Sequence, residues 1–452
     1  MKQTNLKVGF ARKDLTPDYS VPLAGYGRTT DRMSQGWYTR LYATCIAITD
    51  EQDQTVLFYT VDLIRSVQSW TDEVRRRVTE ATGVPGEAIM ISAIHTHSAP
   101  DIGAEIKENH PYYAQYMQVL TAAAVEAMAD RVTTKAAAMG TTDIQGMNFV
   151  RHYITTEGEV IGDNFGNPDG KTFAGHTMPN DPQMQLLRLV REEKPDVLLV
   201  NWQGHPTVGS TSATEGGKLL RPFIGADYVE PFRAHIEKNT DCLVAFFQGA
   251  SGNLNTRSRI PEETAPTNVF DFGTELAERT IAALPALKDA YVGSLQTRRF
   301  SYIGKWDHSE DHLLEQAKRI RELWMKTGDR DLCREEGAPY GIHSGYHAGF
   351  IINRANAGEN YEMELNAIGL GDFSFITAPY EMFCNNAQMV KAETPFPMTF
   401  VLTSANSVSG YIASEAAFDH GCYEVDNRKF GRGTAEKAVS HFLEMLRDMK
   451  AE

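Results

Sequence analysis

The sequence predicts a mixed α/β (α+β) fold, with mixed sheets flanked by helices, built as a single large domain over residues 1–452. Short apolar runs rich in Val, Ile and Phe recur along the chain and are bounded by Gly, Pro or charged residues, a pattern typical of buried strands. Segments with helical spacing of apolar residues lie between several of these runs, as in α/β layers. No internal repeat, low-complexity tract or Pro-rich linker interrupts the chain, which favours one domain over two.

The first part of the chain predicts strands and helices in alternation. A short strand near residue 8 leads into a Pro/Gly-rich loop that ends near Arg28. Residues 39–48 and 55–61 are β-rich runs separated by polar residues, which is a hairpin signal. Helical spacing predicts a helix over 70–83, with Gly83 as its stop, and a second helix over about 112–131.

The same patterns continue to the end of the chain. A polar, Gly-rich stretch at 152–180 is predicted as a loop that covers a site. The Gly/Ser/Thr stretch before Gly217 lacks the Gly-Lys-Ser/Thr ending of a phosphate loop, which argues against nucleotide binding there. Further strands are predicted at about 134–150, 185–190, 197–202, 242–247, 291–300, 361–378 and 399–403, and further helices at about 227–237, 270–286, 308–326 and 431–449.

Composition and charge restrict the partners of the protein. Hydrophobic residues make up 42% and charged residues 23%, as in an ordinary globular protein. The formal net charge is −15, which disfavours nucleic acid or an anionic membrane surface as the main partner. We therefore expect a small-molecule substrate, no nucleic acid and no stable membrane insertion. The sequence carries no signal for a particular oligomeric state.

The cysteines and the N-terminus favour a cytoplasmic protein. The number of cysteines is odd and none forms a C-x-x-C pair, so a disulfide framework or a thiolate zinc site is not expected. The first nine residues lack the apolar core of a signal peptide, and no run approaches the roughly 20 apolar residues that span a bilayer. The cysteines are Cys45, Cys242, Cys333, Cys384 and Cys422.

The pair His95 and His97, at the end of the apolar run 88–94, is the most informative motif. In an extended chain, side chains two residues apart point to the same face, so the two imidazoles are expected side by side at the mouth of a strand. Such a pair suits a divalent metal. On the pair alone, the more common arrangement is one ring hydrogen-bonded in the core and the other in solvent.

Other strand ends and histidine pairs add candidates. His205 follows another apolar run, and Asp62 comes directly after a strand, which makes its carboxylate a candidate partner for a metal-ligating histidine. Two further pairs have the i, i+4 spacing that lets rings share a metal on a helix, but neither has the His-Glu-x-x-His form, so solvated faces are the expected reading. These pairs are His308 with His312 and His343 with His347.

A series of short motifs, taken in order, resembles the N-terminal catalytic domain of the neutral (non-lysosomal) ceramidase family. The resemblance extends over roughly residues 8–425 and indicates a short, bacterial-type relative. The motifs are Asp14-Leu-Thr-Pro17, Ala24-Gly25-Tyr26, Arg40-Leu-Tyr-Ala43, His95-Thr-His97-Ser98, Arg151, Gly204-His205-Pro206, Ala226-Asp227-Tyr228, Gln248-Gly-Ala-Ser-Gly-Asn253, Glu381, Asn406 to Tyr411, and Tyr423-Glu424.

The resemblance implies a zinc-dependent hydrolase in which metal-bound water attacks an amide (N-acyl) bond. The zinc ligands it implies are His95, His205, Glu381 and Tyr411. Imidazole and carboxylate are ordinary zinc ligands, whereas tyrosine is rarer and could also steady an oxyanion. His97 is implied in proton transfer, and Arg151 in orienting the substrate or balancing negative charge.

Two departures from the family pattern leave the substrate open. Ceramidases carry a serine where this chain has Asn255, whose amide could position a water or donate to an oxyanion but cannot act as a nucleophile. We also expect no C-terminal β-sandwich domain, so a soluble and more polar substrate than ceramide is expected. The alternatives are a zinc hydrolase of an ester or carbohydrate linkage, and a non-catalytic, metal-stabilised binding protein.

Overall fold

The computed structural model describes residues 6–26, 32–162, 170–214 and 216–451. Residues 27–31, at the end of the predicted Pro/Gly-rich loop, and 163–169, within the predicted 152–180 loop, lie outside the described residues. The fold is mixed α/β, with several sheets and flanking helices, as predicted. Along these stretches, no helix combines the length and the apolar character needed to cross a membrane.

The strands and helices are interspersed along the chain, and several strands follow one another without an intervening α-helix. The strands are β1 (Lys7–Asp14), β2 (Tyr42–Thr49), β3 (Thr55–Val61), β4 (Ile89–Ala93), β5 (Val132–Asp143), β6 (Phe149–Val150), β7 (His152–Thr155), β8 (Val160–Gly162), β9 (Phe173–His176), β10 (Gln183–Arg191), β11 (Asp196–Trp202), β12 (Cys242–Gln248), β13 (Leu254–Asn255), β14 (Lys288–Ala290), β15 (Leu295–Lys305), β16 (Asn360–Leu370), β17 (Phe373–Thr377), β18 (Glu381–Met382), β19 (Met398–Leu402) and β20 (Tyr411–Ile412). The helices are α1 (Gln68–Thr82), α2 (Pro111–Ala129), α3 (Val229–Asn239), α4 (Val269–Ala283), α5 (Leu314–Thr327), α6 (Arg330–Gly337), α7 (Gly345–Ala355), α8 (Cys384–Glu393), α9 (Tyr423–Asp426) and α10 (Thr434–Ala451).

The largest sheet has the order β12-β11-β10-β5-β1-β2-β3-β4, with β14 paired to β5. The pairs β3–β4 and β11–β12 are parallel, and the other pairs are antiparallel, including the predicted hairpin of β2 with β3. The sheet curls until its two ends approach each other, since the Thr60 hydroxyl in β3 donates a hydrogen bond of 2.6 Å to the Phe246 carbonyl in β12. This closure brings the ends of β4 and β11 into one region.

A second sheet, of order β15-β16-β17-β19, packs against the first. The ring centroids of Phe58 in β3 and Phe375 in β17 lie 4.3 Å apart. The Asn201 side chain in β11 accepts from the Val401 amide and donates to the Val401 carbonyl, both at 3.1 Å. Because these groups are buried between two sheets, their pairing satisfies backbone that would otherwise lose its hydrogen bonds.

Several predicted boundaries are wrong for local reasons. The predicted loop at 152–180 contains a small sheet of order β8-β7-β9, because β-branched residues near Ile154 form a strand that turns at Gly158 with φ +84°. The helix predicted from residue 308 begins only at Leu314, after a 3₁₀ turn over Asp311–Leu313. The five cysteines are buried and free.

Candidate metal centre

Three histidines from two distant parts of the chain meet at one point. His95 and His97 follow β4, and His205 follows β11. Their ring centroids are 4.8 to 5.2 Å apart. Each ring offers a nitrogen, and these nitrogens lie within 4.8 Å of one another. The predicted juxtaposition of His95 with His97 is therefore confirmed.

Strand alternation, the predicted cause of this juxtaposition, is not what brings the two rings together. Strand β4 ends at Ala93, and His95 has φ +68°, a left-handed conformation that non-glycine residues rarely adopt. The His95 amide donates to the Leu63 carbonyl at 2.9 Å, which holds this turn against the end of β3. A sharp turn, not strand alternation, directs His95 and His97 toward each other.

Backbone carbonyls fix the tautomer of all three rings. A carbonyl oxygen only accepts hydrogen bonds, so a ring nitrogen beside it carries the proton, and the neutral ring presents its Nε2 lone pair. The Nδ1 atoms lie 2.7 Å from the Ile64 carbonyl for His95, 3.0 Å from the Gly25 carbonyl for His97, and 3.0 Å from the Ser251 carbonyl for His205. The three Nε2 atoms are thus the ones that remain for a ligand.

The contact between Gly25 and His97 needs a glycine. Gly25 has φ +105°, and a Cβ at this position would lie 2.5 Å from Nδ1 of His97. A side chain here would displace the imidazole. The Ala24-Gly25-Tyr26 motif therefore acts by holding the His97 ring.

In this cluster, hydrogen-bond acceptor atoms of the histidine rings and of Glu381 face one another with no proton between them. Nε2 of His97 is 3.0 Å from Nε2 of His205, and burial lowers the pKa of both rings well below the ordinary value, so both are neutral. Oε2 of Glu381 lies 3.1 Å from Nε2 of His95, and among the described residues no hydrogen-bond donor to this oxygen is found. Lone pairs that converge without a proton repel one another unless a cation lies among them, so these residues fit a metal ion.

Glu381 and Tyr411 are brought together by a short parallel pair of strands, in which β18 places Glu381 opposite Tyr411 of β20. Burial opposes ionisation of the Glu381 carboxyl, but the neighbouring His95 and the guanidinium of Arg151 outweigh it and lower its pKa to about 2. Burial raises the pKa of the Tyr411 phenol well above its ordinary value. The carboxylate is thus anionic at neutral pH.

The loop that leads to Tyr411 is tied to the strand that leads to His95. In this loop, Asn406 accepts from the Ile91 amide through its side chain at 2.9 Å, and its own amide donates to the Ile91 carbonyl at 2.7 Å. The Glu381 amide donates to the Gly410 carbonyl at 2.9 Å. These bonds explain why residues far apart in sequence reach the same place.

Arg151 is held behind the histidines by a carboxylate to which the sequence assigned no role. Its Nε donates to Glu424 at 2.7 Å and its Nη2 donates to the Gly252 carbonyl at 2.6 Å. The second oxygen of Glu424 is 2.8 Å from Nε2 of His152. Burial alone would raise the pKa of Glu424, but Arg151 and His152 outweigh it and lower that pKa far below its ordinary range. In the sequence, the adjacent basic residues Arg151 and His152 were the feature that could have indicated a buried carboxylate partner.

A cavity of about 690 Å³ opens on this cluster. His97, Arg151, His205, Asn255 and Tyr411 line it. Asn255 is held in β13, which pairs with β6. All the candidate residues therefore lie in or directly behind one cavity.

Asp62 is not a partner of the histidines, contrary to prediction. Its two oxygens accept from Arg233 at 2.8 and 2.6 Å, and the second also accepts from the Tyr42 amide at 2.8 Å. The Nδ1 of His95 instead donates a hydrogen bond to the Ile64 carbonyl. The partner of the Asp62 carboxylate is therefore Arg233, a buried cation on α3, and not a histidine.

The remaining histidine pairs differ from each other. His308 precedes α5 and bonds to Asp311 at 2.9 Å, so its predicted position on the same helix as His312 is wrong. His343 and His347 do lie near Asp426, but Nδ1 of His347 already accepts from the His343 amide at 3.3 Å. A third group comprises His152, Cys422 and Glu424, and its carboxylate is occupied by Arg151.

Acidification below pH 6.5 is expected to destabilise the metal-free protein. The fold keeps His97 and His205 neutral, so the unfolded chain binds protons there that the folded chain does not. Each ring then costs about 1.4 kcal/mol per pH unit below 6.5. Glu381, with a pKa of about 2, affects stability only below the ordinary carboxyl range. Urea unfolding in chelator at pH 7.5 and 5.5 measures the loss.

The matched control for this measurement is the double variant His97→Gln, His205→Gln. In both proteins, Asp311 and Asp426 raise the pKa values of His308 and His343, so these two histidines stabilise the fold as the pH falls. The wild type should therefore lose more stability than the variant over this pH interval. Equal losses would contradict the neutral buried pair.

Comparison with known proteins agrees with this geometry. Residues 6–216 match the family model described as neutral/alkaline non-lysosomal ceramidase, N-terminal. The resemblance to the neutral ceramidase family is confirmed. The matched segment contains His95, His97, Arg151 and His205. Comparison with curated proteins gives no match.

Solved ceramidase structures share the fold over a longer span. The neutral ceramidase from Pseudomonas aeruginosa aligns with a TM-score of 0.71 and 16% identity, over 100% of this chain and 75% of that one. A structure described as ceramidase complexed with C2 aligns with the same score and identity, over 99% of this chain and 76% of that one. The likeness in fold therefore includes the ceramidase-like segments that carry Glu381 and Tyr411, beyond the family-model match.

Proposed function

We propose that this ceramidase-like protein is a zinc-dependent hydrolase that cleaves an amide (N-acyl) bond of a small, soluble substrate. The observation that carries the proposal is the convergence of ring nitrogens of His95, His97 and His205 within 4.8 Å of one another, with no proton between the Nε2 atoms of His97 and His205. Glu381 joins the cluster through the contact of its carboxylate with Nε2 of His95. The family resemblance supports the same reaction class.

We assign the metal ligands as His95, His205, Glu381 and Tyr411. These four residues would hold a zinc ion, which would supply the Lewis acidity that brings the pKa of water at the site to about 7. His97 lines the cavity directly, whereas His95 and Glu381 lie behind its wall. Because a substrate in the cavity can reach the His97 ring, this position supports a proton-transfer role for His97.

The other residues act on the substrate. His97, neutral and held by the Gly25 carbonyl, accepts the proton released by the attacking water and returns it to the leaving group. Arg151, fixed by Glu424, places positive charge beside Tyr411, with its Cζ 5.5 Å from the ring centre. The Asn255 amide donates to the oxygen that becomes negative as the bond is attacked.

The lining of the cavity supports a polar substrate. Hydroxyl, amide and guanidinium groups predominate, and among the described lining residues the aliphatic ones are Val208, Ala265 and Pro266. Long acyl chains would find little apolar surface there. The same polarity, together with Asn255, favours a second candidate, a zinc hydrolase of an ester or carbohydrate linkage.

Hydrolysis by the purified chain before and after chelation tests the proposal. The probes are N-acyl amino acids, N-acetyl amino sugars, carboxylic esters and glycosides. We expect amide cleavage that is lost on chelation and restored by zinc. Cleavage of only esters or glycosides would favour the second candidate, and full activity of metal-free protein would contradict both.

Replacing Glu424 with glutamine is expected to lower kcat by about 10- to 100-fold, because Arg151 loses the charge that holds its guanidinium. The glutamine keeps the size of the side chain, and Glu424 contacts none of the proposed ligands, so bound zinc should be unchanged. Steady-state kinetics and metal analysis measure both quantities. Wild-type kcat, or loss of zinc with kcat, would contradict a role in positioning Arg151.

A further inference from the structure

The cavity beside the histidines is strongly cationic, although the chain as a whole is acidic. Its net charge is −15, with 59 acidic and 44 basic residues. Among the described residues that line the cavity, none is Asp or Glu and five are arginines. The arginines are Arg151, Arg221, Arg257, Arg259 and Arg330.

Arg221 is held next to the catalytic cluster. Its guanidinium lies over the Tyr26 ring at 4.7 Å from the ring centre, and that ring is 5.1 Å from the His97 ring. The buried Arg32 donates to the carbonyls of both Arg221 and His97 at 2.8 Å, which fixes the two segments together. In the part of the chain that the structure describes, no carboxylate pairs with the Arg221 guanidinium. The position of Arg221 is therefore fixed, while none of the described carboxylates neutralises its charge.

Arg257 lies two residues after Asn255, and both residues line the cavity. Its side chain is exposed, and within the described ranges it also has no carboxylate partner. Arg151 differs from both, because Glu424 neutralises it. Two uncompensated guanidinium groups therefore face the space that a substrate enters.

We propose that the substrate carries an oxyanion group, which Arg221 and Arg257 bind while the scissile bond lies at His97. This inference rests on the proposed hydrolase function and names its substrate class. Guanidinium groups match the planar or tetrahedral oxygens of carboxylate, phosphate and sulfate. An anion would also relieve the repulsion between these cations and a nearby divalent metal. The neutral headgroup of ceramide offers no such charge.

Calorimetric titration of the purified protein tests the inference without requiring activity. The probes are sodium sulfate, inorganic phosphate and succinate, which separate the three oxyanion classes. We expect at least one probe to bind at least tenfold more weakly to the double variant Arg221→Gln, Arg257→Gln than to wild type. Arg447→Gln removes one positive charge from an exposed position on α10 and should bind the probes as wild type does.

Equal affinity in wild type and double variant, or no binding of any probe, would overturn the inference. Arg221→Lys, which keeps the charge without the planar fork, should be intermediate, and thermal melting verifies that each variant is folded. N-hexanoylglycine and N-hexanoylglycinamide then compare hydrolysis with and without a carboxylate. If the anions bind through the arginines but neither compound is hydrolysed, only the proposed reaction is refuted. If both compounds are hydrolysed and the double variant binds the anions as wild type does, only the anionic substrate class is refuted.

Discussion

Replacement of His205 with alanine is expected to lower hydrolysis by at least about 1000-fold, equivalent to roughly 4 kcal/mol in the activation barrier, and to remove the bound metal. The imidazole presents Nε2 to the same point as His95 and His97, and its Nδ1 is fixed by the Ser251 carbonyl. Without it, the cluster loses a neutral nitrogen ligand that no other residue nearby replaces among those described. Metal analysis and hydrolysis rates measure both effects.

The matched control is His308→Ala. His308 is exposed and bonds to Asp311, away from the cavity-lining residues. This variant should keep wild-type metal content and activity, and circular dichroism should show that both variants are folded. Retention of metal and more than about a tenth of the activity in His205→Ala would contradict the assignment.

Replacement of Asp62 with asparagine is expected to lower the free energy of unfolding by about 3–5 kcal/mol, because it leaves a buried cation without its counterion. Arg233 and Asp62 are joined by two hydrogen bonds of 2.8 and 2.6 Å, and their side chains are 2% and 0% exposed. Asp62 also caps the Tyr42 amide at the start of β2. Urea unfolding at neutral pH measures the loss.

Asp331→Asn provides the comparison for this measurement. Asp331 pairs with Arg334 at 3.4 Å on the surface, where its side chain is 85% exposed. Exposed pairs contribute little, so this variant should unfold as the wild type does. Equal stability of the Asp62 and Asp331 variants would show that the buried pair is not needed.

The periodicity of the sequence was sufficient for local structure. Trp70, Val74 and Val78 recur at helical spacing and are buried in α1, which ends at Gly83 with φ +77°. The β-branched run at 55–61 forms β3 and pairs with β2 as predicted. These elements depend on neighbours along the chain, which the sequence displays directly.

Long-range partners were not predictable in the same way. Asp62 looked like a partner for a histidine because it follows a strand, but Arg233 lies far along the chain and reaches it only after folding. The turn at His95 likewise depends on the end of β3. Periodicity contains no information about which distant side chain will win such a contact.

The candidate site was accessible mainly through the family resemblance. It indicated His95, His205, Glu381 and Tyr411 together, and the fold brings these segments to one place. The contribution of Glu424 was missed, because its role is visible only once Arg151 lies beside it. The division of the chain into domains stays a prediction.

Anomalous scattering from a crystal of the purified protein, measured on both sides of the zinc absorption edge, tests the central claim most directly. The account predicts one strong peak, present only above the zinc edge, within coordination distance of His95, His205 and Glu381, with the Tyr411 oxygen adjacent. A crystal grown with zinc that shows no peak there, or a peak only at another cluster, would contradict it.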